Sequence, residues 1–145
     1  MLPFFDAVIK VIESGPDFTG IKGRSLGDGE YESLVQIPGG IRPRVSQPGL
    51  GTRVWLVDLI STTVEEEAKM KYQDIAAQLN AGRLNAIGTM ETNGGGNTIG
   101  ESTLWEFTSL NKAYEKTHRD FAMELVMSKN FRKQWEVYLK IRYDN

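Results

Sequence analysis

Trp135-Glu136-Val137-Tyr138-Leu139-Lys140-Ile141-Arg142-Tyr143 is the cleanest periodic stretch of the chain, and the rest of the sequence reads as something that pairs with it or covers it. Trp135, Val137, Leu139 and Ile141 fall on one side, and Glu136, Tyr138, Lys140 and Arg142 on the other. Successive side chains of a strand point to opposite faces, so strict alternation predicts a strand with one buried and one wet face.

Working back from it, two further alternating runs precede this strand. In 121–128, Phe121, Met123, Leu125 and Met127 oppose Ala122, Glu124, Val126 and Ser128; in 103–108, Thr103, Trp105 and Phe107 oppose Leu104, Glu106 and Thr108. Residues 128–133 join the last two strands through a polar turn containing Asn130, which tolerates a left-handed backbone. The competing reading, a helix from 110 to 128, puts Thr117 and His118 where its apolar stripe should run.

Upstream, Val54 to Ile60 is almost continuously apolar, with Asp58 as its one charge, and predicts the sheet centre. Tyr31 to Ile37 predicts another strand, ended by Pro38-Gly39-Gly40, and Arg24 to Gly29 a polar turn. Residues 38–52, with prolines at 38, 43 and 48, predict a long loop, and residues 83–101 show the least pattern of all. Leu2, Phe5, Val8, Ile9 and Ile12 have the spacing of one helical face, stopped by Ser14-Gly15-Pro16. A second helix begins after Ser61-Thr62-Thr63, where Thr62 with Glu65, or Thr63 with Glu66, has capping-box spacing; it runs through Ala68, Tyr72, Ile75 and Leu79 to Asn80-Ala81-Gly82. The expected fold is therefore a single α+β domain over residues 1–145: an antiparallel sheet of about five strands with two helices packed on one face, in the order α-β-β-α-β-β-β.

Composition excludes more than it proposes. The chain of 145 residues is 40% hydrophobic and 25% charged, an ordinary globular balance. No apolar run approaches the ~20 residues a bilayer span needs, so no membrane partner is expected. The first residues lack the charged leader and apolar core of a signal peptide, which makes the cytoplasm the default compartment, with an extracytoplasmic location after leader removal left open. Zero cysteines exclude disulfides and thiolate chemistry. A net charge of −2 opposes nucleic-acid binding, which rests on neutralising phosphates. The charge is uneven: residues 111–145 carry eight Lys/Arg against five Asp/Glu, while residues 1–110 carry nine against fourteen.

Motifs for chemistry are sparse. His118, the only histidine, lies among Lys116, Thr117, Arg119 and Asp120, a polar connection that predicts a surface position and a near-neutral His118→Ala change. Asn93-Gly94-Gly95-Gly96-Asn97 has no following lysine with Ser/Thr and no strand expected before it, so the phosphate-loop pattern fails. One histidine and no cysteine leave no metal set, and no cofactor or catalytic residue is assigned. Two groups remain as binding candidates. Arg42, Arg44 and Arg53 supply paired N–H donors suited to a carboxylate or phosphate, and Tyr138, Lys140 and Arg142 lie on the wet side of the last strand.

The sequence thus points first to a non-enzymatic binding protein acting through an open sheet face or an edge strand, with a protein partner or a second copy as its target. The alternative is a small-molecule or anion-binding protein, or a hydrolase, using the 38–53 loop. In length, acidic isoelectric point and element order the chain resembles small specialised-secretion chaperones and toxin-immunity proteins, which implies a chaperone-like or immunity-like adaptor. No motif carries that resemblance and the closing helix of the chaperone group is absent, so no family is assigned from sequence.

Overall fold

The computed structural model describes residues 3–47, 51–81, 88–97, 100–118 and 120–143. Helix α1 spans Phe4–Glu13 and α2 Glu65–Ala81. The strands are β1 (Lys22–Gly27), β2 (Glu30–Ser33), β3 (Ile41–Ser46), β4 (Arg53–Thr62), β5 (Gly88–Asn97), β6 (Gly100–Leu110), β7 (Phe121–Lys129) and β8 (Trp135–Tyr143). All eight join one antiparallel sheet in the order β1-β2-β3-β4-β8-β7-β6-β5. The class is α+β as expected, but the sheet is larger than five strands.

The three additional strands sit where side-chain pattern is weakest. β1 replaces the expected polar turn and is mostly exposed, so it carries no alternation to read. β5 occupies the expected patternless stretch. β3 lies inside the expected 38–52 loop and accommodates Pro43 because its register slips between Ile41 and Arg44. Proline lacks the N–H a ladder needs, and a bulge removes that need. The second strand is correspondingly shorter than 31–37, although Val35 and Ile37 remain buried beyond its end.

The strand that anchored the sequence reading is the middle of the sheet, flanked by β4 and β7. Its alternation is complete: Trp135, Val137, Leu139, Ile141 and Tyr143 are buried, and the four residues between them are half-exposed. Register lines the buried side chains up in rows. Trp55 pairs with Ile141, Ile141 with Met123, and Met123 with Trp105; Val57, Leu139 and Leu125 form the next row. Cross-strand apolar pairs of this kind, with the helices over them, are the main source of cohesion.

Both helices contribute to this core, but in different ways. On α1, Ala7, Val8, Val11 and Ile12 are fully buried. The Ile12 carbonyl, near the helix C-terminus, accepts from Tyr143 Oη at 2.6 Å, from His118 Nε2 at 2.9 Å and from the Gly15 amide at 3.1 Å. Three donors on one terminal carbonyl pin the helix end. α2 packs Ala68, Tyr72, Ile75 and Leu79 inward, and its Asn80 Oδ1 accepts from Trp105 Nε1 at 3.0 Å. The expected capping box is not formed. Thr62 Oγ1 instead accepts from the Val64 amide at 3.1 Å and donates to Glu67 at 2.9 Å.

The topology reads the same from both ends: a helix and a four-stranded meander, twice, joined through the last strand of each half. Trp-x-Val-x-Leu occurs at 55–59 and again at 135–139, 80 positions on, and the ladder pairs Asp58 with Tyr138, also 80 positions apart. Each pair of an antiparallel ladder lies on a local two-fold axis. The axis through Asp58 and Tyr138 therefore carries Trp55 onto Trp135 and Val57 onto Val137.

Candidate functional site

The side chains of β4, β7 and β8 that point away from the core form a second set of rows. One runs Glu32, Arg44, Leu56, Lys140, Glu124, Leu104; its neighbours contain Val54 with Arg142, and Asp58 with Tyr138 and Val126. Among the described residues these side chains stay partly in solvent: Arg44 is 22%, Asp58 30%, Lys140 36% and Arg142 30% exposed.

Five of the six candidate residues meet on this face. The bulge in β3 sets Arg42 at φ 50°, an uncommon value for a side-chain-bearing residue. From there Arg42 Nη2 donates to Asp58 Oδ2 at 2.9 Å, and Arg44 Nη1 reaches the same oxygen at 3.4 Å and the Arg42 carbonyl at 3.0 Å. Across β4, Lys140 Nζ and Arg142 Nη1 both stand 3.9 Å from Glu124 Oε1. Four cations thus meet two carboxylates here, with Glu32 next to Arg44 in the same row and Glu136 on the same side of β8. Tyr138 sits between the two sets with Lys140 Nζ 5.8 Å from its ring centroid. Burial, and then Glu124 and Glu136, push its hydroxyl above the usual phenol range, so it stays a neutral donor.

Arg53 does not join them. Its register partner is Tyr143, on the core side of the sheet, and its Nη1 is bound to Asp17. The three arginines that look like one cluster in sequence lie on opposite faces.

Asp58, the one charge of its strand, is the anchor of two guanidiniums. His118 is a plain correction: it is 3% exposed, not on the surface. A carbonyl only accepts, so Nε2 carries the proton given to Ile12, and Nδ1 accepts from Thr117 Oγ1 at 2.8 Å. The ring packs edge-on to Tyr114 and Tyr143 with centroids 5.2 and 5.6 Å away. Burial lowers its pKa, opposed by the Ile12 carbonyl and Glu13. Nothing in its flanking residues signals this, because the partner lies 106 residues earlier.

Among the described residues, no group of three His, Asp or Glu side chains is placed to hold a metal ion, and no helix is long and apolar enough to cross a membrane. The side chain of Phe107 and residues 93–97 of the glycine-rich stretch, as side chains, lie outside the description. No protein-family model, curated protein or solved structure matches the chain.

Proposed function

We propose that the protein is a non-enzymatic binding module whose open sheet face receives an acidic, extended segment of a protein partner. The observation that carries this reading is the grouping of Arg42, Arg44, Lys140 and Arg142 around two carboxylates on one face, with Tyr138, Leu56 and Val54 between them. Aromatic and arginine side chains among apolar neighbours are the composition of interface hot spots. An ion pair of 3.9 Å at partly exposed positions is weak, so a partner's carboxylate competes for Lys140 at little cost.

The test is amide chemical-shift mapping with a glutamate-rich peptide of about ten residues, against a lysine-rich peptide of equal length as control. Binding of the acidic peptide alone, with shifts at Val54, Leu56, Tyr138, Lys140 and Arg142, supports the reading. Lys140→Glu with Arg142→Glu should abolish it. No shifts at millimolar peptide, or shifts confined to other surfaces, would overturn it.

A further inference from the structure

The turn between β7 and β8 places Phe131 almost wholly in solvent, 91% exposed, the most exposed of the large apolar side chains described. Isolated exposed apolar residues are ordinary on protein surfaces. This one differs in being held out by a rigid turn. Asn130 Oδ1 accepts from the Arg132 and Gln134 amides at 2.9 and 3.0 Å, and Asn130 Nδ2 donates to Glu136 at 2.8 Å. The Asn130 amide and carbonyl close the turn with Gln134 and Lys133 at 2.8 and 3.0 Å. A turn fixed by five hydrogen bonds loses little freedom when its tip is buried by something else.

The tip is also basic. Lys129, Arg132 and Lys133 are all exposed, and the Arg132 guanidinium stands 5.5 Å from the Phe131 ring centroid. Beside it lies the opposite charge. Thr62 pairs with Trp135 and Ser61 Oγ donates to Gln134 Oε1 at 3.4 Å, so the tip projects next to the β4–α2 junction, where Val64 is 46% exposed and Glu65, Glu66 and Glu67 are exposed. Among the described residues no ion pair joins the tip's three cations to these three carboxylates; Glu65 and Glu66 instead meet Lys69 at 3.6 and 3.8 Å.

A surface with a basic half, an acidic half and an apolar residue in each is complementary to itself under a two-fold rotation, because the rotation lays each half on the other. An anionic lipid surface fits less well, since the same approach would press the three glutamates against it. We propose that the β7–β8 tip is a self-association site: in a symmetric dimer, Phe131 and its cations dock on Val64 and the first turn of α2 of a second copy, and the reverse. The site is separate from the open sheet face, so either proposal can fail without the other.

Sedimentation equilibrium over a concentration series tests it, with circular dichroism confirming that each variant is folded. Wild type should dimerise at low salt and weaken roughly tenfold or more on going to about 0.5 M salt, as exposed charges are screened. Phe131→Ser should weaken the dimer by roughly tenfold. Arg132→Glu with Lys133→Glu should give monomer, because acidic then faces acidic. Adding Glu65→Lys and Glu66→Lys to that chain should restore the dimer, which a merely destabilised surface would not do. A wild type monomeric throughout, a dimer indifferent to the tip variants, or a fourfold variant that stays monomeric would each overturn the proposal. So would flotation of a monomeric wild type with phosphatidylserine vesicles that the Arg132→Glu, Lys133→Glu pair abolishes, which would assign the tip to a membrane surface.

Discussion

Replacing His118 by alanine removes the link between the C-terminal end of α1 and the connection leading into β7. Two hydrogen bonds go, to the Ile12 carbonyl and from Thr117 Oγ1, at about 1 kcal/mol each. The truncated ring leaves a void among Tyr114, Tyr143 and α1, adding about 2 kcal/mol. Ile12 keeps its bonds from Tyr143 and Gly15, so no buried carbonyl is stranded and the loss stops at about 4 kcal/mol. Urea denaturation at pH 8, followed by tryptophan fluorescence, reads this directly. A surface position for His118 predicts a near-neutral change instead. A loss under about 1 kcal/mol would return His118 to the surface and remove the pin from the fold.

The same residue sets a pH dependence. Its folded pKa is lowered by burial, so the unfolded chain binds the proton more readily; stability is full above the ordinary histidine value of about 6.5 and falls as pH drops below it. Wild type should lose stability from pH 7 toward pH 5.5, and His118→Ala should lose less over that interval; parallel curves would show that the imidazole is not the group titrating. Gly15→Ala places a methyl inside the Tyr143 ring, which has to withdraw from Ile12; the expected cost is about 2–3 kcal/mol, and an unchanged melting temperature would refute the contact. Trp135→Ala should cost about 3–5 kcal/mol in chemical denaturation, a loss under 1 kcal/mol placing the indole on the wet face. Trp55→Phe removes the donor that Ser33 Oγ receives at 2.9 Å and should cost about 1–2 kcal/mol; a neutral result would mean that bond contributes nothing net.

What was legible in the sequence follows from how each strand is buried. β8, β7 and β4 have neighbours on both sides and one apolar face, so their side chains alternate or run apolar. β1 and β5 are the sheet's edges. β1 is mostly solvated and β5 holds three successive glycines, so neither needs a periodic apolar face. β3 buries Val45 alone, and Pro43 signals a loop unless the bulge is known. The wet face of β8 is readable from its alternation, whereas Arg42 and Arg44 reach that side of the sheet through Asp58 on β4, and Arg53 turns the other way by β4's register with β8. His118 could not have been placed, since its burial comes from an α1 carbonyl distant in sequence. The repeated Trp-x-Val-x-Leu is visible in the sequence, and in the fold its two copies are neighbouring strands.

The position of β8 in the middle of the sheet has a consequence for synthesis. Sheet order puts β8 between two strands that precede it in the chain, so β4 and β7 each wait with an open edge until residue 143 has emerged. A nascent chain paused before Trp135 would hold α1 with β1–β4 and α2 with β5–β7 and no strand to join them, and each group would offer its innermost strand to any other chain nearby. The interval before residue 143 emerges is therefore the one in which the inner edges of both halves stand open together.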